Sequence, residues 1–428
     1  MAALSTDTGH SSVATDSLWA LNNTEKQADW GWRAMHGAVT LGKRIVTAYY
    51  ATLIRHSYYS GCSTGGRQGL KELQISPDTF DGALIGAPAW WVNHLNLYIL
   101  RVGLYNLPPS DPKHLSHGDI ALVAGEVLRQ CDGVDGVIDN IISAPELCKL
   151  DYDRLLCRTE SKKPDCLTAD QLRTVKDIHA DWINPETKSL LHPGFSLSSE
   201  PQWPWVLPPN NIPSPYGTGY QSHFLLNTIT WSLSPTSPTP EALITLAESL
   251  DPGNATVSLT ALTSSLRTFA RRGGKLLLWH GLADGLIPAK STHLLYNLTS
   301  SMLGSDLVHS FMRLFLIPGL QHCWNTPEES NAPWAIGGAY QAVMMGTSEW
   351  SVPGFEGDKR FDALEGLIKW VEEGELVDSV VATTWDRPMD PKSGVKRQRP
   401  ICAWPRKAVW DGVGKVDEWQ SWKCIREA

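Results

Sequence analysis

The chain has 428 residues, 37 of them Lys or Arg against 45 Asp or Glu, for a formal net charge of −8. Basic runs are absent apart from the short patch Lys396-Arg397-Gln398-Arg399, which argues against nucleic acid as a partner; no apolar run reaches about eighteen residues, so no transmembrane helix is expected. That length suits one large α/β domain with a second domain inserted into it.

Along the chain, Met1 to His10 reads as a strand running into an active-site loop. A β-prone run, Ser57-Tyr58-Tyr59-Ser60, leads into Gly61-Cys62-Ser63-Thr64-Gly65, and the helix-compatible run Arg67 to Leu73 follows. This is the G-x-S-x-G pattern in its strand–turn–helix context: small residues permit a tight turn, and the turn lifts the Ser63 hydroxyl clear of the backbone. A Gly-rich loop with an incidental serine is the competing reading. From about residue 92 to about 265 the pattern changes to an insertion, Pro-rich around Pro201-Gln202-Trp203-Pro204-Trp205 and Pro213-Ser214-Pro215. It contains Cys131-Asp132-Gly133-Val134-Asp135-Gly136-Val137-Ile138-Asp139-Asn140-Ile141-Ile142, three aspartates alternating with glycines. Such a run is either a solvated acidic turn or a loop of oxygen ligands for a hard cation; it lacks EF-hand spacing and a closing glutamate.

The α/β pattern returns at Arg271. Gly273 to Gly281 begins with a turn and continues as an apolar run, the signature of a strand buried on both faces, and Asp284 follows its end. Phe311 to Pro318 reads as the next strand, followed by His322. Each residue alone is as well explained by a capping aspartate or a structural histidine. Together they give the order Ser63, Asp284, His322, each just past a predicted strand, where open α/β sheets carry their chemistry. Phe361 to Glu375 is predicted as an amphipathic helix with Leu364, Leu367, Ile368 and Val371 on one face.

The eight cysteines show no zinc spacing. One precedes Ser63 and another follows His322. If Ser63 and His322 meet, Cys62 and Cys323 are brought close; the alternative is two buried thiols. A bridge there closes a loop of roughly 260 residues, valued at about 5 kcal/mol by the chain-entropy model. For the rest, pairing of near neighbours is the economical choice: Cys131 with Cys148, Cys157 with Cys166, Cys402 with Cys424.

These residues resemble the tannase/feruloyl esterase family, mostly secreted carboxylesterases. The resemblance is carried by Gly61-Cys62-Ser63-Thr64-Gly65-Gly66-Arg67-Gln68-Gly69, Phe80-Asp81-Gly82, Gly86-Ala87-Pro88, His280-Gly281 with Asp284, His322-Cys323 and Arg399-Pro400-Ile401-Cys402, and it spans about Ser5 to Cys424. It implies an α/β-hydrolase fold with a large inserted lid: residues 1–91 and 266–428 form the catalytic domain, and residues 92–265 the lid. It further implies Ser63, Asp284 and His322 as the triad, Cys62–Cys323 as the disulfide beneath it, and a structural calcium ion in the lid. Asp132, Asp135 and Asp139 would hold the ion through side chains, Val137 and Ile141 through carbonyls; Asn140 stands where glycine is expected.

The activity implied is hydrolysis of small or polysaccharide-linked phenolic esters, feruloyl or other hydroxycinnamoyl, with no nucleic-acid or membrane partner. A tannase acting on galloyl esters is the alternative, and an inactive relative that only binds phenolic or cell-wall glycosides is the alternative of another class. One oxyanion donor is expected at the Thr64 amide. The stretch before Ser63 is too short for the early strands of this fold, so the chain is expected to lack an N-terminal part that supplies the other donor. The cysteines, and sequons at Asn22, Asn254 and Asn297, are compatible with secretion. Among the 19 tryptophans, Trp90, Trp91, Trp182, Trp203, Trp205 and Trp231 are candidates for aromatic platforms or for core.

Overall fold

The computed structural model describes residues 2–158, 165–207, 212–231, 238–347 and 351–426. Its strands are β1 (Tyr58–Cys62), β2 (Gly82–Gly86), β3 (Trp182–Ile183), β4 (Leu190–His192), β5 (Lys275–Gly281), β6 (Met312–Ile317), β7 (Ser379–Arg387), β8 (Asp390–Cys402), β9 (Arg406–Trp410) and β10 (Trp422–Arg426). β1, β2, β5 and β6, in that order, form a parallel four-stranded sheet. Their runs are mostly apolar, interrupted at Ser60, Lys275, His280 and Arg313, because both faces of the sheet are covered. Leu84, Leu277, Trp279, Phe315 and Ile317 enter one core cluster; their neighbours Ala83, Ile85, Leu276, Leu278, Met312 and Leu314 enter the other. Helices Thr64–Ile75, Leu259–Arg271 and Ala289–Leu303 pack on the second face. Helix Ala363–Glu373 and the antiparallel pair β7–β8 cover the first. This layered α/β arrangement agrees with the expected fold class.

The predicted helix over 361–375 forms between Ala363 and Glu373. Asp362 starts it by accepting from the amides of Leu364 and Glu365, and Gly374, at φ 74°, ends it. Burial pushes the Asp362 carboxyl up to about 6 despite those two amides. Its folded pKa thus lies above its unfolded value. The folded state holds a proton that the unfolded state releases, so this contribution is present at low pH and is lost as pH rises from about 4 through about 6. Asp362→Asn keeps the capping oxygen without the charge. Chemical denaturation is expected to show the variant more stable than the parent by about 2 kcal/mol at pH 8, with the gap closed at pH 4; a pH-independent difference would contradict this.

A third hydrophobic cluster lies between Val92 and Ala255, built on helices Val92–Tyr105, His117–Cys131, Ala169–His179 and Pro240–Leu250. Leu286 and Ile287, just past Asp284, belong to this cluster. The core of the inserted segment is therefore continuous with the loop that carries Asp284. The expected lid boundary at 265 falls inside helix Leu259–Arg271, which is capped by Ser258 and packs Leu262, Leu266 and Phe269 against the sheet. The opening residues also differ from expectation: residues 2–17 form no strand, and the chain enters helix Ala34–Tyr50 instead. Among the described residues, no helix is long and apolar enough to cross a membrane.

Candidate active site

β1 ends at Cys62 and a helix begins at Thr64, so the whole reversal falls on Ser63, at φ 64° and ψ −122°. A non-glycine residue in that conformation is strained and persists only where its surroundings impose it. Here the Ser63 amide donates to Gly86 O at 3.0 Å, and Ser63 O accepts from the amides of Arg67 and Ala89. Gly66 permits the close crossing onto β2: a Cβ there would sit 2.4 Å from Gly86 O. The Ser63 hydroxyl does not cap its helix, and among the described residues it has no hydrogen-bond partner. The Thr64 amide, at the helix start, likewise donates to no acceptor among them.

Asp284 sits in the loop after β5 and is 1 % exposed. Its Oδ1 accepts from the amides of Leu286 (2.9 Å) and Ile287 (2.8 Å). Its Oδ2 accepts from two histidines, Nδ1 of His322 at 2.8 Å and Nε2 of His280 at 3.0 Å. Because the carboxylate only accepts, the His280 proton is assigned to Nε2, and Nδ1 accepts from the Thr292 hydroxyl at 2.7 Å. Burial alone would raise the Asp284 carboxyl. The charge of His322 and the hydrogen bonds from His280 and His322 overcome that effect and hold it well below the usual carboxylate range. With Nδ1 of His322 engaged by Asp284, Nε2 is the ring nitrogen left for chemistry.

Cys62 and Cys323 form a disulfide with a Cα–Cα distance of 6.0 Å, across a sequence separation of 261. It joins the neighbours of Ser63 and His322, and so ties the Ser63 turn to the His322 loop. The other pairs are Cys131–Cys148, Cys157–Cys166 and Cys402–Cys424, as the economical pairing expected, and no described cysteine is free.

A family model described as tannase and feruloyl esterase matches residues 1–425. The chain belongs to this family. It is 30% identical over 432 residues to a protein named "Probable feruloyl esterase B-1" of Aspergillus terreus, covering 99% of this chain and 76% of the relative. A protein of the same name from Aspergillus fumigatus is 30% identical over 430 residues, covering 99% of this chain and 75% of the relative. Among solved structures, feruloyl esterase B from Aspergillus oryzae superposes with a TM-score of 0.83 at 28% identity, over 96% of this chain and 77% of that one. The tannin acyl hydrolase of Aspergillus niger, at 20% identity and a TM-score of 0.70 over 94% of this chain and 71% of that one, shares the fold.

Within this family member, the acidic loop of the inserted segment is pinned by Cys131–Cys148. Asp132 Oδ1 accepts from the amides of Asp139 and Ile141, and Oδ2 from that of Asn140. Asp139 pairs with Arg399. Asp135 Oδ1 accepts from the Val137 amide, whereas Oδ2 is buried without a partner, and burial pushes the carboxyl up. Asn140 has φ 65°, a left-handed conformation that asparagine tolerates better than most residues, which explains how it replaces the expected glycine. The all-oxygen donor set and the orphaned Asp135 Oδ2 fit a hard cation. Among the described residues, however, no group of three acidic, histidine or cysteine side chains is gathered closely enough to hold a metal.

Of the six tryptophans singled out, Trp90, Trp182 and Trp203 are buried core. Trp205 is different: it is 45 % exposed, and its ring stands edge-on to the His322 imidazole at 6.4 Å between centroids. A cavity of about 350 Å³ lies behind the acid loop, between helix His117–Cys131, Pro204, Ala283 and Gly319; neither Ser63 nor His322 lines it. Two contacts at the site had no sequence-level signal in this role. His280 appears in the sequence only as part of a motif, and the share it takes of Asp284 depends on the path of the loop after β5. Gln202 accepts from the amides of Gly285 and His322 across separations of 83 and 120 residues, beyond the reach of any local pattern.

Proposed function

We propose that this chain hydrolyses phenolic-acid esters, of the feruloyl or hydroxycinnamoyl type, through an acyl-enzyme on Ser63. The observation that carries the reading is the 2.8 Å bond from His322 Nδ1 to the buried, anionic Asp284, with the Cys62–Cys323 bridge joining the histidine loop to the strained Ser63 turn. In the first step His322 Nε2 takes the hydroxyl proton as Ser63 Oγ bonds to the ester carbonyl carbon, and Asp284 stabilises the resulting imidazolium. The oxyanion is held by the Thr64 amide, a type of donor worth roughly 3–4 kcal/mol. Collapse breaks the ester C–O bond, and the alcohol leaves with the proton from His322. Water, deprotonated by the same nitrogen, then attacks the acyl-serine and releases the acid and free Ser63. The exposed Trp205 beside His322 offers a planar apolar face for an aromatic acyl group.

Parallel turnover of methyl ferulate and methyl gallate tests the substrate class. Faster hydrolysis of the ferulate is expected; preference for the gallate would make the chain a tannase. A fluorophosphonate that labels Ser63 supports the enzyme, and phenolic-glycoside binding without labelling would make it a binding module. Secretion accords with the four disulfides, which persist in oxidising compartments.

We infer that the acidic loop holds a structural calcium through Asp132, Asp135 and Asp139, with the Val137 and Ile141 carbonyls. Calcium would supply charge neutralisation there and take no part in the steps at Ser63. EDTA is expected to lower the melting temperature by several degrees and calcium to restore it, since a ligand held at about 100 times its Kd contributes roughly 2.7 kcal/mol. Asp135→Asn should abolish that response. A melting curve indifferent to EDTA, in protein that elemental analysis finds free of calcium, would reduce the loop to an acidic turn.

A further inference from the structure

Gln202 belongs to the inserted segment, yet its side-chain oxygen makes two bonds to the catalytic loops. Oε1 accepts from the Gly285 amide at 2.9 Å and from the His322 amide at 3.1 Å. Gly285 follows the acid, and the second amide is that of the histidine itself. Neither amide has another acceptor among the described residues. Two donors aimed at one atom also fix the orientation of the carboxamide, because the flipped form would set its NH₂ against them.

The segment that carries Gln202 is held on both sides. Glu200 Oε1 accepts from His179 Nε2 at 2.8 Å, and that histidine's Nδ1 meets the Tyr152 hydroxyl at 3.0 Å. Trp203 Nε1 donates to Ser199 Oγ at 3.0 Å, and Ser199 Oγ donates to Ser196 O. Glu200, Ser199 and Trp203 are fully buried, and Gln202 is 5 % exposed. The acid loop approaches this turn so closely that a Cβ on Gly285 would stand 2.8 Å from both Gln202 Cβ and Ser199 O. The sequence has glycine at the one place where the loop would otherwise be pushed away.

We propose that Gln202 is a positioning residue: one lid oxygen clamps the acid loop and the histidine loop into the register that the Asp284–His322 bond requires. The inserted segment is then part of the catalytic geometry as well as a cover over it. This rests on the reading of Ser63, Asp284 and His322 given above. Losing the acceptor leaves two buried amides unpaired, which drives both loops to rearrange. Displacement of catalytic groups by about 1 Å is associated with losses on the order of a hundredfold.

The test compares Gln202→Met, nearly isosteric but without an acceptor, with Gln202→Glu, which retains one, and with Ser63→Ala, all in the full chain. Steady-state hydrolysis of methyl ferulate and the inactivation rate with a fluorophosphonate are measured. Q202M is expected to lose about tenfold to a hundredfold in kcat, with KM changed little and inactivation slowed by a similar factor. Q202E is expected to recover most of that loss, which a purely space-filling role would not produce. Should Q202M fail to fold, Gln202→Asn, whose carbonyl falls one methylene short, is expected to show the same loss in kcat. Wild-type kcat in Q202M or Q202N, or equal losses in Q202M and Q202E, with Ser63→Ala inactive, overturns the clamp and leaves the triad standing. Activity in Ser63→Ala overturns the triad itself.

Discussion

Ser63→Ala is expected to lower turnover of a phenolic ester by at least about 10⁴-fold, because it removes the hydroxyl proposed to form the acyl bond. The melting temperature should stay within a degree or two of the parent. The Ser63 hydroxyl caps nothing and bonds to nothing among the described residues, so the fold does not depend on it. Alanine inherits the same φ of 64°, and the strain is carried by the backbone bonds to Gly86, Arg67 and Ala89, which the substitution leaves in place. Steady-state kinetics with a melting curve on the same preparation decides it. Wild-type turnover would remove Ser63 from the mechanism, and a collapsed fold would show that the hydroxyl has a structural task the geometry does not reveal.

The second large effect belongs to the Cys62–Cys323 bridge. Replacing both cysteines with alanine removes a cross-link spanning 261 residues, for which the chain-entropy model gives about 5 kcal/mol. Activity should fall further than stability alone explains, by about a hundredfold at temperatures where the protein remains folded. The bridge acts on the residues next to Ser63 and His322, whose approach no other covalent link enforces. Cys402→Ala with Cys424→Ala is the control: it opens a loop of 22 residues remote in sequence from the Ser63 and His322 turns and should leave kcat near that of the parent. Equal activity losses in the two double variants would show that the first bridge serves stability only.

The parts of this site that were legible in the sequence are those governed by local sterics. The reversal at Ser63 needs small neighbours, so its glycines mark it. β5 and β6 are buried on both faces, so their residues read as mainly apolar runs, broken by Lys275, His280 and Arg313, that end just before Asp284 and His322. The helix at Ala363–Glu373 was legible because it has one wet face and a capping aspartate. The strand expected at the opening does not form, since residues 2–17 carry few β-branched or aromatic side chains and join no sheet among the described residues. The boundary near 265 was drawn through helix Leu259–Arg271, whose mixed surface does not reveal that Leu262, Leu266 and Phe269 attach it to the sheet. Trp203 and Trp205 stand two positions apart in one Pro-rich turn, yet one is buried and the other half exposed beside His322. Composition could not separate them, and the three-dimensional path of the turn does. Gln202, between Pro201 and Trp203, carries no local pattern that marks its bonds to the amides of Gly285 and His322.

The disulfide between Cys62 and Cys323 also changes what a protease can do to this molecule. Every peptide bond between those two residues lies inside a covalent ring. A single cut in any loop of the inserted segment therefore opens the ring without releasing a fragment. The piece bearing Ser63 and the piece bearing Asp284 and His322 remain one molecule until the bridge is reduced. Nicked protein should run as one band without reductant and as two with it, and the nick should go unnoticed in an assay that contains no thiol.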